Sequence, residues 1–149
     1  MTPYSFLDNY LKGKEIKIFN NGKHMRDFTY IDDVIISILK IFDYSQKKNK
    51  KKFDIVNIAK GKSIELMKYI NLIEMNLGNN LKKKFVSGQL GDVKNTYADI
   101  KKLKKYTNFK PKVNIDTGIK KFIEWFSNYH NLKNTNNSKN KGILKKTKR

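Results

Sequence analysis

Arg26 is the residue in this chain best equipped to grip an anion. It is one of only two arginines, the other being Arg149, against 31 lysines. A guanidinium presents a rigid fork of donors that matches two phosphate oxygens at once, whereas an ammonium offers a single point of charge. Arg26 opens the run Arg26-Asp27-Phe28-Thr29-Tyr30-Ile31-Asp32-Asp33-Val34. Two readings of it stand open: an anion-binding side chain, or a surface ion pair with Asp27 or a helix carboxylate. Asp32 and Asp33 are neighbouring carboxylates, the residue type of acid–base chemistry. They fall at a predicted helix start, where negative charge complements the helix dipole, and read as structural. Zero cysteines exclude disulfides and thiolate metal sites.

Arg26 has to be held by the elements around it. Thr29, with Asp32 three residues on, resembles a capping box with Asp in place of Glu. Ile31, Val34, Ile35, Ile38, Leu39 and Phe42 then recur at helical spacing to about Tyr44. Ahead of the run, Thr2-Pro3 starts a helix to about Lys12 and Gly13 ends it. Ile16 to Phe19 is a short strand, and Asn20-Asn21-Gly22 a turn. After it, the run of lysines from 47 to 52 is an exposed loop. Phe53 to Ile58 reads as a largely buried strand. Ser63 caps a helix built on Ile64, Met67, Ile70, Ile73 and Leu77, stopped by Gly78. Lys84 to Val86 is a weak strand, and Asp99 caps a short helix to about Tyr106. The last helix spans about 115 to 129, with Ile115, Ile119, Phe122, Ile123, Phe126 and Tyr129 on one face. Residues 131–149 form a basic tail too poor in apolar residues to offset its ordering entropy, and are expected to be disordered.

At 149 residues, 38% hydrophobic and 12% aromatic, the chain is sized for one packed domain, residues 1–130. No run of about 18 apolar residues exists to span a membrane, and no signal peptide precedes the first helix, so the expected location is cytoplasmic. The net charge of +20 will draw polyanions. A Lys-rich solvated surface explains it better than a standalone nucleic-acid-binding protein, because base and phosphate readers favour Arg.

Several landmarks resemble one family in order. They are the Arg26–Val34 run, the Phe53–Ile58 segment, Ser63-Ile64-Glu65-Leu66, Gly91-Asp92-Val93-Lys94-Asn95-Thr96-Tyr97-Ala98-Asp99, Phe109-Lys110-Pro111 and the helix bearing Trp125. Together they resemble the C-terminal part of extended short-chain dehydrogenase/reductases that epimerise nucleotide sugars, most like UDP-glucuronate 4-epimerases. The resemblance covers about 1 to 130 and implies an α/β fold: the substrate-binding portion, short strands with about five helices. It places Arg26 on the diphosphate of a UDP-sugar, and Lys17 and Phe19 where strand backbone meets uracil. Tyr97 falls on the sugar and phosphate side of the pocket. Gln89 stands where several relatives carry a second phosphate-binding Arg, a task that Lys94 can take. The plainer alternatives are an ordinary strand at Lys17 and Phe19 and a half-buried core tyrosine at Tyr97.

The same resemblance exposes a gap. The family's chemistry is hydride transfer to NAD, which needs a Gly-rich pyrophosphate turn and a Tyr-x-x-x-Lys pair. Eight glycines give no such fingerprint. Five of the eight tyrosines have Lys four residues on (Tyr10, Tyr44, Tyr97, Tyr106 and Tyr129), an uninformative result in so Lys-rich a chain, and none sits where the family places its pair. The expectation is a catalytically incomplete fragment that binds UDP-sugar and holds no NAD alone. Its partner would be a separate N-terminal Rossmann half, in a family that is usually homodimeric. The alternatives are a nucleic-acid-binding protein and a non-functional remnant. Without that half, the apolar faces of the signature helix and the Phe53 segment would be exposed.

Overall fold

The computed structural model describes residues 3–47, 53–88, 91–134 and 144–146. The chain divides into two interleaved compact units, one of residues 1–24, 65–92 and 116–149, the other of residues 25–64 and 93–115.

In the first unit, α1 (Pro3–Leu11) buries Phe6 and Leu7. Strand β1 (Ile16–Ile18) lies parallel to β4 (Lys83–Phe85), with Ile16 opposite Lys83 and Ile18 opposite Phe85. Period-two alternation buries Ile16 and Ile18 and leaves Lys17 exposed. The turn after β1 takes Asn20 and Asn21 into the left-handed region at φ of 51° and 50°, followed by Gly22 at 77°. Asparagine tolerates that region better than most residues, and glycine tolerates it freely. Helix α3 (Leu66–Leu77) buries Leu66, Tyr69, Ile70, Ile73 and Leu77 along one stripe. Gly78, at φ of 62°, closes it by donating its N–H to the carbonyls of Glu74 and Met75. Helix α5 (Ile115–Tyr129) buries Ile119, Ile123 and Phe126 as expected, but Tyr129 lies outside that face and is 65% exposed.

In the second unit, β2 (Met25–Asp27) pairs with β3 (Ser63–Glu65). Helix α2 (Ile31–Ser45) meets α4 (Lys101–Thr107). Ile41 packs against a small core of Ala59, Ile100 and Leu103. The buried residues of α2 are Asp33 and Ser37, while Ile31, Ile35, Ile38, Leu39 and Phe42 face outward at 49 to 60% exposure. The most apolar stripe of the signature helix is therefore its open side, the exposure expected of the fragment alone.

Four sequence expectations need correction. The Thr29 capping box does not form: α2 starts at Ile31 with Tyr30 as its cap, and the Thr29 hydroxyl instead accepts the Lys60 N–H at 3.1 Å. Phe53 to Ile58 is not a strand, because among the described residues no edge pairs with it. It is pinned instead by side chains, with Asp54 accepting from Lys102 and Tyr106, and Asn57 donating to the Asp99 carbonyl. Ser63 does not cap α3. It lies in β3 and its hydroxyl donates to the Thr96 carbonyl. Phe19 falls just beyond β1, as the first residue of a 3-10 turn.

Of the tail expected to be disordered, β5 (Leu132–Asn134) and β6 (Leu144–Lys146) pair antiparallel. The rest of the tail, the Thr2 cap and the lysine run from 48 onward lie outside the described residues. Among the described residues no helix is long and apolar enough to cross a membrane.

Candidate functional site

Strand β2 is the backbone of the site. Its Met25 forms a parallel bridge with Asn95, and the Met25 N–H donates to the Lys94 carbonyl at 2.9 Å. The Thr96 N–H then donates to the Met25 carbonyl at 3.1 Å. These bonds set β2 alongside residues 94–97, so Arg26 and Tyr97 belong to one local assembly.

Arg26 is half-buried at the middle of β2. One terminal nitrogen, Nη1, donates to its neighbour's carbonyl at Met25, 2.9 Å away, and across the bridge to the Lys94 carbonyl, 3.0 Å away. Two carbonyls thus fix the guanidinium plane from one end, which orients a fork built for paired oxygens. Tyr97 is 71% exposed, so the half-buried core role is not its role. Lys94 is exposed beside it, a second cation in the same segment.

The sequence offers Asp27 only as a possible ion partner for Arg26, and its contacts go much further. Its Oδ2 accepts the Gly61 N–H at 3.1 Å and the Ala98 N–H at 3.3 Å, and its own N–H donates to the Thr96 hydroxyl at 3.2 Å. Asp33 is equally structural. It is buried, and its Oδ2 accepts the Val113 N–H at 2.8 Å. That agrees with its reading as a helix-start carboxylate. Among the described residues no group of three His, Asp or Glu side chains could hold a metal ion.

Lys17 and Phe19 lie in the other unit. The Ile16 N–H donates to the Lys82 carbonyl and the Ile18 carbonyl accepts from Val86, so alternation turns the Lys17 amide and carbonyl to the opposite edge of β1. Among the described residues that edge pairs with no strand. Phe19 is half-buried, and Gln89 lies outside the described residues. Asp92 lies 3.6 Å from the buried His24 ring.

Residues 3–59 match the NAD dependent epimerase/dehydratase family. A UDP-glucuronate 4-epimerase of Thermodesulfobacterium geofontis is 35% identical over 129 residues, which are 84% of this chain and 37% of that protein. The chain carries a match to this epimerase family and corresponds to a C-terminal piece of the full-length proteins it resembles. An uncharacterized protein of Methanocaldococcus jannaschii is 45% identical over 128 residues, 85% of this chain and 37% of that protein. Among solved structures, a UDP-glucuronic acid 4-epimerase from Bacillus cereus, in complex with UDP-glucuronic acid and NAD, is similar with a TM-score of 0.73. It is 26% identical, over 85% of this chain and 40% of that one. The chain thus spans about two-fifths of the length of the relatives it matches. The α/β architecture of five helices and short strands is that of the corresponding part of the epimerase fold.

Proposed function

We propose that this chain is the nucleotide-sugar-binding part of a UDP-sugar epimerase, of the UDP-glucuronate 4-epimerase kind, and is catalytically incomplete by itself. The observation that carries the reading is that the Met25–Asn95 bridge brings Arg26 and the exposed Tyr97 into one local assembly. In this role the Arg26 fork takes the diphosphate, with Lys94 in support where Gln89 replaces a second Arg. Tyr97 lines the sugar side. The open edge of β1 at Lys17, with Phe19 beyond it, suits the paired donor and acceptor of a uracil ring.

NAD belongs to the rest of the enzyme on this reading. A dinucleotide pyrophosphate seeks a helix N-terminus behind a Gly-rich turn. The N-terminus of α2 carries Asp32 and Asp33 in its first turn, α3 is capped by Glu65, and α5 carries Asp116. Carboxylates at those positions repel a pyrophosphate, so these three helix starts do not fit the cofactor. The outward stripe of α2 supplies a docking face for an N-terminal Rossmann half, whether on a longer chain or a separate one. The assembled enzyme would be a cytoplasmic homodimer.

The test is a titration of the purified chain with UDP-glucuronate and with UDP, followed by amide chemical shifts. Saturable shifts are expected at residues 17–19, 26 and 94–98. Arg26→Ala should weaken binding by about tenfold or more, and Arg26→Lys should fall between, since it keeps charge without the fork. No saturable shift with either ligand at millimolar concentration would remove the reading. Co-expression with a Rossmann half that restores NAD-dependent epimerisation would support the division of labour, and failure to form a complex would count against it.

A further inference from the structure

Four contacts converge on the three residues centred on Tyr97. Thr96 is held on one side by the Asp27 N–H, which donates to its hydroxyl at 3.2 Å. The Thr96 carbonyl accepts from the Ser63 hydroxyl, and its N–H donates to Met25. On the other side, the Ala98 N–H donates to Asp27 Oδ2 at 3.3 Å. One residue therefore grips both chain neighbours of Tyr97, by its backbone and by its side chain. The same Oδ2 accepts the Gly61 N–H at 3.1 Å, which ties the pair to a third segment whose glycine sits at φ of 68°. The other oxygen, Oδ1, is buried and accepts no hydrogen bond among the described residues.

An ordinary packing role does not need this arrangement. Tyr97 itself is largely in solvent, so burial does not fix its ring. What is held is the backbone on either side of it, and Asp27 contributes to both holds. Alternation along β2 turns consecutive side chains to opposite faces, so Asp27 can hold the Tyr97 backbone from the face opposite Arg26.

We propose that Asp27 is the positioning residue for Tyr97, setting the angle at which that ring meets the sugar of a bound UDP-sugar. The proposal rests on the reading of Arg26 and Tyr97 as ligand contacts. Asp27 acts through geometry: its Oδ2 is an acceptor at a fixed reach, and its charge is secondary.

Two conservative variants separate geometry from charge. Asp27→Asn keeps an acceptor at the same reach and loses the charge. Asp27→Glu keeps the charge and moves the acceptor by one methylene. UDP-glucuronate affinity of the full chain, read by amide shift titration, should fall by no more than about threefold in Asp27→Asn and by about tenfold in Asp27→Glu. In a Tyr97→Ala background, Asp27→Glu should cost nothing further, because its effect runs through the missing ring. The reverse order, equal affinities in all three proteins, or losses that add in the double variant would overturn the proposal while leaving the ligand reading intact. Absence of binding by the unmodified chain would remove both.

Discussion

The rings of Tyr44 and Tyr106 stack with centroids 4.5 Å apart and an interplanar angle of 7°. Tyr44 lies near the end of α2 and Tyr106 near the end of α4, so the stack clamps the two helices at one end. Tyr106 also donates its hydroxyl to Asp54, which takes a second bond from Lys102. One aromatic pair and one carboxylate thus hold the segment after residue 53 without any strand.

That carboxylate gives the fold an acid limit. The Lys102 ammonium, then the Tyr106 hydroxyl and the Ile55 N–H, hold Asp54 well below the usual carboxylate range. A depressed folded value stabilises the protein above the unfolded value of about 3.9, and that contribution is lost as pH falls below it. Urea midpoints of the wild type and Asp54→Asn should differ at pH 6 and converge as pH is lowered from about 5 towards 2. A difference that stayed constant across that range would show that the carboxylate's charge is not what matters.

The open stripe of α2 should be mutable at no cost to the fold. Leu39 is 58% exposed and Phe42 60%. Leu39→Lys with Phe42→Glu is expected to leave unfolding stability within about 0.5 kcal/mol per change. The same change should reduce concentration-dependent self-association in sedimentation experiments, because an exposed apolar stripe drives association. Unchanged association would place the sticky surface elsewhere.

Leu103 makes the contrasting case. It is fully buried with Ala59 and Ile100 beneath the other side of α2. Leu103→Ala should cost about 2–4 kcal/mol by denaturant unfolding, from lost transfer energy and the cavity left behind. A loss under about 1 kcal/mol would mean that this small core collapses around the gap.

Gly22→Ala should destabilise the turn after β1. Its φ is +77°, and an added Cβ would lie 2.7 Å from Met67 Cγ. Met67 must repack from Cγ outward, a cost that adds to the left-handed backbone's, about 1–2 kcal/mol. Met67→Ala in the same background should relieve the clash and not the strain, which a thermal melt of the double variant would read.

The helices were legible because their periodicity is local. The bounds of α5 and the glycine stop of α3 followed from spacing and from Gly78 alone. The strands were not, because a strand depends on an edge that local sequence does not display. Phe53 to Ile58 has the composition of a strand and, among the described residues, finds no partner, whereas Ser63 was taken for a helix cap and finds β2. At the site, the types of Arg26 and Tyr97 pointed to ligand contacts, but Asp27 looked like a neighbour's counter-ion. Its targets, Gly61 and Ala98, are 34 and 71 residues away in sequence.

The interleaving of the two units bears on the order in which they are made. Every segment of the second unit, residues 25–64 and 93–115, is synthesised before residues 116–149 of the first unit. Arg26, Asp27 and Tyr97 can therefore reach their final arrangement in a nascent chain whose first unit is still open. The ligand-contact strand can thus be assembled before the first unit receives its last helix, α5.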